Sequence, residues 1–363
     1  MIKLADLVYG RNNNFHLMRL LAASAVLFSH AFPLSTGDRL SEPLRKAFGL
    51  TPGSVAVDLF FLISGLLVTI SLLRRQSAID FIKARFFRIW PGLTVAILLT
   101  VFVLGPVFTT VGWHDYFFSR VTLKYVVKNL LLVTGVVYTL PGVFAHLPWK
   151  SGINGSLWTL PAEIRCYLCL LAFWVGIIRL GRPGWLRLGI GALWLALLAS
   201  HLYAMLVEHK VLEDSPTRLY FMFCTGAAFY VFRSSVRLSW TALAAAVAAL
   251  VLASPLPIPF ELVYTFAVPY IAICLAYLPT GPILGFNRLG DYSYGTYIYA
   301  FPVQQTLMAV FLTLTPTALF LASLPVTLIL AVLSWHFIEE PASKLARRAA
   351  PKPPAYVASP EPL

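Results

Sequence analysis

The chain has 363 residues, of which 59% are hydrophobic and 12% are charged, whereas about a quarter of a soluble domain is charged. With a mean hydropathy of +0.78, this composition excludes one large soluble core. The apolar runs that recur along the chain predict an all-α, polytopic transmembrane helical bundle. The net charge of +13 is attributed to cytoplasmic loops beside anionic lipid headgroups and not to nucleic-acid binding.

Ten membrane spans are predicted from the apolar runs. They cover residues 15–36, 54–73, 89–108, 156–178, 185–207, 216–233, 240–254, 260–279, 291–313 and 317–338. The apolar region 121–143 contains Lys124 and Lys128, so it is either an eleventh span or a helix lying in the membrane interface. The membrane domain is assigned to residues 11–345, and the Pro-rich residues 346–363 are predicted to form a disordered cytoplasmic tail.

The basic residues predict the orientation of the bundle. If the N-terminus is cytoplasmic, 18 of the 28 lysines and arginines fall on the cytoplasmic side, 9 on the opposite side and Arg165 within a span. This bias favours both termini inside. It places Arg19 at the inner end of the first span and His30 in its outer half.

The first predicted span carries two ionisable residues, Arg19 and His30, eleven residues apart. At about 100° per residue they return to within roughly 20° of one helix face, about 16 Å apart along the axis. Ionisable side chains are costly in lipid and usually face a protein or water-lined cavity. His30 is either a general base that accepts a hydroxyl proton or a hydrogen-bonded structural histidine. The aligned cation, which can hold an anionic ligand, favours the functional interpretation.

A second basic pair, Arg85 and Arg88, lies just before the third predicted span. Residues three apart are neighbours on a helix, so two guanidiniums at the cytoplasmic surface would make a phosphate site. Ordinary anchoring of a span by cytoplasmic arginines explains the same pattern, and taken alone it is the stronger interpretation.

Three carboxylates lie in or beside the predicted spans. Asp58 either caps a helix, orients a histidine or balances an arginine. Glu163 follows a predicted helix cap at Asn154, and it should have a buried partner other than Arg165, because residues two apart do not face each other. Glu339 ends the last span on the basic side of the membrane, which implies a partner such as an arginine.

Six segments, taken in chain order, resemble the acyltransferase-3 family of integral-membrane O-acyltransferases. They are Arg19-x10-His30, the run from Gly53 to Gly65, Arg85-x-x-Arg88, the run from Asn154 to Glu163, Ser293-Tyr294-Gly295-x-Tyr297, and Ile338-Glu339-Glu340-Pro341. Each segment is weak evidence alone, but six in the right order across almost the whole chain are specific.

The resemblance implies transfer of an acyl group, commonly acetyl, from cytoplasmic acyl-CoA to a sugar hydroxyl on the far side of the bacterial inner membrane. No permanently bound cofactor and no metal are implied, and an envelope-biosynthesis protein is a possible partner. The family often has a histidine after the Ser-Tyr-Gly block, where this chain has Tyr299-Ala300-Phe301-Pro302. Some members carry a fused esterase-like domain; this chain is expected to be the stand-alone form.

The resemblance also implies the roles of the residues described above. His30 would be the catalytic histidine with Arg19 as its partner, and Arg85 and Arg88 would meet the donor. The residues that would orient or charge-balance the site are Asp58, Glu163 or Glu339. His30 would either deprotonate the acceptor hydroxyl or carry the acyl group transiently.

Two other classes of protein fit part of the pattern. A carrier or exporter of a small acyl or anionic solute would use His30 as a proton relay. Transporters often show inverted repeats and paired broken helices, and neither is evident in this sequence. A structural or accessory membrane protein would pair off all its charges, which the alignment of Arg19 with His30 disfavours.

Overall fold

The structure is a computed structural model that describes residues 1–10, 12–179, 184–208, 215 and 217–348. The predicted tail therefore lies outside the described residues from residue 349 onward. Its first three residues, 346–348, are the end of a helix.

Ten helices of at least 14 residues run through the described part of the chain, and each overlaps one of the ten predicted spans. They are α1 (Phe15–Thr36), α2 (Pro52–Arg75), α3 (Ala78–Leu99), α4 (Thr159–Arg179), α5 (Trp185–Leu206), α6 (Arg218–Val231), α7 (Trp240–Ala253), α8 (Pro257–Tyr277), α9 (Ser293–Val310) and α10 (Pro316–Ser334). The chain is thus all-α and polytopic. Seven of its described helices are long and apolar enough to cross a membrane. The number ten stays a prediction from the sequence, because three of these helices are not among the seven. Helices α6 and α7 have only 14 residues each, and α9, with 18 residues, is not apolar enough.

Shorter elements connect and extend these helices. Two π-helical turns prolong them, Thr100–Leu104 after α3 and Trp335–Glu339 after α10. Short helices and 3₁₀ turns cover Leu4–Leu7, Arg39–Ser41, Arg45–Phe48, Gly105–Phe108, Trp113–Phe117, Arg120–Leu131, Gly155–Trp158, Pro282–Arg288 and Glu340–Arg348. Strands β1 (Ile2–Lys3) and β2 (Arg237–Leu238) pair antiparallel, with Ile2 opposite Leu238.

Two sequence predictions change in the structure. Helix α3 begins at residue 78, eleven residues before the predicted span, because the Ser77 side chain caps it by accepting a hydrogen bond from the Asp80 amide. The region 121–143 contains only a 12-residue helix, Arg120–Leu131. At 1.5 Å per residue it is about 18 Å long, too short for a bilayer core of about 30 Å. The structure therefore gives no support for an eleventh span, and a helix in the membrane interface stays a prediction.

The centre of the bundle is formed by α1, α2, α6 and α9. Helix α2 packs against α6 and α1, while α9 packs against α1 and α10. The contact between α2 and α6 depends on two glycines, because a Cβ on Gly65 would lie 1.9 Å from the Phe223 carbonyl oxygen and one on Gly226 would lie 2.0 Å from the Leu62 carbonyl oxygen. Only glycine allows these two helix backbones to come this close.

Helix ends next to the centre are fixed by side-chain caps. Thr51 begins α2 with a capping box, in which its side chain and that of Ser54 each accept a backbone hydrogen bond from the other residue. Asn154 accepts a hydrogen bond from the Ser156 amide and donates one, 2.8 Å long, to the Ile298 carbonyl of α9. The predicted cap at Asn154 therefore also ties the start of α4 to α9.

Candidate active site

The cavity that contains His30, of about 540 Å³, lies at the C-terminal end of α1 and the N-terminal ends of α2 and α4. We call it the His30 cavity. The His30 ring packs edge-on against Phe301, with ring centroids 5.3 Å apart, and its Nδ1 atom has no hydrogen-bond partner among the described residues. Beside it, the Ser29 hydroxyl donates a 2.5 Å hydrogen bond to Glu42, which also accepts one from Arg45.

The wall of the His30 cavity is aromatic and its rim is basic. Tyr138, Trp149 and Trp158 line the cavity together with Arg39 and Lys150. The Arg39 guanidinium lies over the Trp149 ring, 5.6 Å from its centroid. Burial raises the pKa of the Tyr138 phenol, and the nearby Arg39 opposes that shift. A ligand ring that carries polar groups at its edge and has apolar faces could pack against these aromatic side chains.

The first residue of α6, Arg218, also lines the His30 cavity. Its side chain is only 2% exposed, and its Nε atom lies 3.4 Å from Asp58 Oδ1. The Tyr264 hydroxyl donates a 2.8 Å hydrogen bond to the other oxygen of Asp58. Of the three roles predicted for Asp58, the structure thus bears out balancing an arginine, while Thr51 caps the helix.

A narrow passage of about 40 Å³ adjoins the His30 cavity and shares Val57 and Tyr297 with it. Arg19 and Glu163 line this passage from opposite helices. Glu163 accepts a 3.3 Å hydrogen bond from Ser64 and a close one from Tyr167. Its partners are therefore hydroxyl groups, and Arg165 instead contacts Tyr220.

The opposite end of α1 holds a second cavity of about 360 Å³, which we call the Asp291 cavity. It is lined by His16, Arg88, Arg288, Asp291 and His336, among others. His16 and His30 are fourteen residues apart on α1, so the two cavities are separated by about 21 Å along the helix axis.

Four charged side chains form one network between the passage and the Asp291 cavity. Asp291 Oδ2 accepts hydrogen bonds from Arg19 at 2.8 Å and from Arg88 at 2.7 Å. Arg88 also donates a 2.9 Å hydrogen bond to Glu339, which is the arginine partner predicted for that carboxylate. Two cations and two carboxylates thus satisfy each other inside the bundle, which lowers the cost of burying each of them.

The two arginines of the Arg85-x-x-Arg88 segment have different surroundings. Arg88 lines the Asp291 cavity, whereas the Arg85 guanidinium lies over the Tyr167 ring, 5.8 Å from its centroid. Helical neighbours need not share a partner, because long side chains diverge beyond Cβ. The role of this pair in donor binding stays a prediction.

Two residues of the site were not identified from the sequence. The sequence patterns assign no role to Asp291 or to Arg218. Charge balance could have identified Asp291, because Arg19 within the first predicted span and Arg88 at the edge of the third both require carboxylate partners when they are buried. Among the described residues, no cluster of three or more His, Cys, Asp or Glu side chains is arranged to hold a metal ion.

Comparisons with known proteins show the family of this chain. Residues 12–336 match the family described as acyltransferase domain. The chain is 30% identical to the O-acetyl transferase of Shigella phage Sf6, over 94% of this chain and 98% of that protein. It is 31% identical to Nodulation protein 10 of Rhizobium leguminosarum bv. viciae, over 93% of this chain and 94% of that protein. No solved structure matches the chain.

Proposed function

We propose a specific reaction for this chain, which belongs to the acyltransferase family just described and is a multi-pass membrane acyltransferase. In this reaction an acyl group, acetyl by analogy with the phage O-acetyl transferase, moves from cytoplasmic acyl-CoA to a hydroxyl of an exported or cell-surface carbohydrate. The protein would act in the inner membrane with both termini in the cytoplasm.

The arrangement of the two cavities carries this proposal. Donor and acceptor of such a reaction come from opposite faces of the membrane, and the His30 and Asp291 cavities lie at opposite ends of α1. The passage adjoins the His30 cavity through Tyr297, and Arg19, which lines it, binds Asp291 at the other end. An extended thioester arm that entered at the Asp291 cavity would therefore be directed toward His30.

The donor end offers cations for the phosphates of coenzyme A. Arg88 and Arg288 line the Asp291 cavity with His16 and His336. Guanidinium groups bind phosphate by charge-assisted hydrogen bonds. Under the predicted orientation this cavity faces the cytoplasm, where acyl-CoA is made.

His30 supplies the proton chemistry in the proposed reaction. Its neutral imidazole takes the proton from the acceptor hydroxyl as the hydroxyl oxygen attacks the thioester carbonyl carbon. The tetrahedral intermediate then collapses with cleavage of the carbon–sulfur bond, and the imidazolium returns the proton to the departing sulfur. The products are the acylated carbohydrate and free CoA. In the alternative course, the imidazole itself attacks the thioester and the acyl group passes from His30 to the hydroxyl.

The charged residues around this path hold it in place. Arg19 and Glu339 would act as positioning residues through Asp291 and Arg88. Glu163 would orient the passage through Ser64, and Asp58 would hold Arg218 at the His30 cavity.

The test is thioester turnover by the purified protein in nanodiscs, followed as free CoA released from acetyl-CoA with and without a crude envelope polysaccharide extract. We expect release that depends on the extract and is lost in His30→Ala, because the proposed reaction uses the His30 imidazole to take the hydroxyl proton. The matched control is His114→Ala, whose imidazole is 84% exposed. Full activity in a correctly inserted His30→Ala protein would refute the assigned role, and absence of release in wild type would favour a carrier.

A further inference from the structure

We infer that the His30 cavity binds an acceptor that carries a negative charge, a carboxylate or a phosphate, near the acylated hydroxyl, and that Arg218 contacts this charge. The inference rests on the proposed acyl transfer and adds the chemical class of the acceptor to it. Arg218 would then determine specificity, while His30 performs the chemistry.

The first observation is the state of the Arg218 guanidinium. The side chain is 2% exposed and lines the cavity. Within the described part of the chain, its Nε and Nη1 atoms have no hydrogen-bond partner. A buried donor left without an acceptor is destabilising, and more so when it belongs to a charged group. An anionic ligand in the cavity would supply the missing acceptors.

The second observation is the way Asp58 holds this arginine. The contact from Arg218 Nε to Asp58 Oδ1 is 3.4 Å long, an ion pair without hydrogen-bond geometry. Asp58 is in turn fixed by the 2.8 Å hydrogen bond from Tyr264. The carboxylate thus keeps the guanidinium at the cavity without using its full set of five donors. A planar fork held in this way suits two-pronged binding of a carboxylate or phosphate.

The third observation is the charge of the cavity as a whole. The described residues that line it include the cations Arg39, Arg45, Lys150 and Arg218, and one carboxylate, Glu42. Glu42 and Arg45 bind each other at 3.1 Å, and Arg218 is paired with Asp58, so Arg39 and Lys150 leave the cavity with an excess of positive charge. Clefts lined by one sign of charge concentrate ligands of the opposite sign.

The aromatic wall indicates that the anion is attached to a sugar. Trp149, Trp158 and Tyr138 present ring faces or edges to a volume of about 540 Å³, large enough for a ligand of several sugar atoms and their hydroxyls. The apolar face of a sugar ring packs well on such rings. Aromatic side chains next to the Arg39 guanidinium and the unfilled donors of Arg218 therefore fit an acidic sugar or a sugar phosphate.

The experiment measures binding of matched charged and neutral probes to the full-length protein in nanodiscs. One pair is trigalacturonate and its fully methyl-esterified form, which differ in charge but not in hydroxyl pattern. The other pair is glucose 1-phosphate and glucose, which separates phosphate from carboxylate as the source of the charge. The variants are Arg218→Gln and Arg218→Lys. The matched control is Arg165→Gln, because Arg165 is exposed and does not line the His30 cavity.

We expect wild type to bind at least one charged probe about tenfold more tightly than its neutral partner, the effect of one or two charge-assisted hydrogen bonds. Arg218→Gln should reduce this ratio to about threefold or less, and Arg165→Gln should leave it unchanged. Arg218→Lys should retain part of it, since the charge remains but the fork is lost. A ratio of two affinities is insensitive to the fraction of folded protein, so a merely structural role of Arg218 would not change it.

Equal binding of charged and neutral probes by wild type would overturn the inference, as would an Arg218→Gln variant that keeps the full preference. The proposed function is tested separately by CoA release that depends on His30. CoA release that proceeds without any preference for charged probes would leave acyl transfer standing and refute the anionic acceptor. Absence of CoA release would refute the acyl transfer.

Discussion

Replacement of Asp291 by asparagine tests whether the buried charge network holds the bundle together. Asp291 Oδ2 accepts hydrogen bonds from Arg19 and Arg88. The amide of asparagine has nearly the same shape, but it removes the negative charge and turns one acceptor position into a donor. Arg88 would keep Glu339, whereas Arg19 would keep the contact of its guanidinium with the Phe60 ring at 5.9 Å.

The expected loss follows from the burial of these groups. Removal of one partner of a buried ion pair costs about 3–5 kcal/mol. The Arg19 and Arg88 side chains are 19% and 18% exposed, which places Asp291→Asn near the lower end, at about 3 kcal/mol. With about 2 °C of melting temperature per kcal/mol for a large domain, the shift should be about 6 °C.

Thermal unfolding of the purified protein in nanodiscs measures this shift. The control is Asp115→Asn, whose carboxylate is 82% exposed beside His114 and should shift the melting temperature by less than the error. The double variant Arg19→Gln/Asp291→Asn should be less destabilised than the sum of its single variants, by about 1 kcal/mol or more. If Asp291→Asn has the melting temperature of wild type, or if the destabilisation of the double variant equals the sum of the two single variants, Asp291 does not hold Arg19 in the way described.

Two further predictions concern helix packing and the donor site. Gly226→Leu should destabilise the protein by about 3 kcal/mol or prevent folding, because its Cβ would lie 2.0 Å from a backbone oxygen. The control Gly176→Leu should unfold like wild type, because no atom lies within 4 Å of a Cβ at that position. Equal stability of the two variants would contradict the close contact of α2 and α6. Arg88→Lys keeps the charge but loses the planar guanidinium that can bind a phosphate through two hydrogen bonds. It should raise the KM for acyl-CoA about tenfold more than the KM for the acceptor. The same measurement on Arg85→Lys tests whether Arg85 also binds the donor. Steady-state kinetics with each substrate varied in turn measures this difference, and equal changes in both KM values would argue against a phosphate site at Arg88.

Hydropathy alone predicted the helices, because the apolar residues within one segment determine whether that segment is buried in lipid. All ten predicted spans overlap helices of the structure. The one large boundary error, at α3, arose because residues 78–88 are too polar for a span but still form a helix, which Ser77 caps. Helix formation and membrane burial are different requirements, and the apolar pattern reports only the second.

Charge balance predicted some contacts of the site but not the identity of every partner. Glu339 was expected to find an arginine, and it binds Arg88 across 251 positions of sequence. Asp291 and Arg218 were missed because each lies at the start of a helix, Asp291 two residues before α9 and Arg218 as the first residue of α6, where a charge is expected to meet water. They are buried by helices that are far apart in the sequence, and the local hydrophobic periodicity around each residue does not predict such contacts.

Under the proposed function, a donor from one face of the membrane would reach His30 through the narrow passage, without an open pore. A volume of about 40 Å³ accommodates only two or three water molecules, so the two cavities are not joined by a wide water column in this conformation. In the proposed reaction an acyl-CoA arm would therefore have to widen the passage as it enters, and we expect the aromatic side chains that line it, Phe60 and Tyr297, to be displaced. The ion pairs that join Arg19 and Arg88 to Asp291 and Glu339 lie beside the passage and would stay intact as it widens. We therefore expect the passage to widen by movement of aromatic side chains while the buried ion pairs stay in place, because this requires less free energy than breaking those ion pairs.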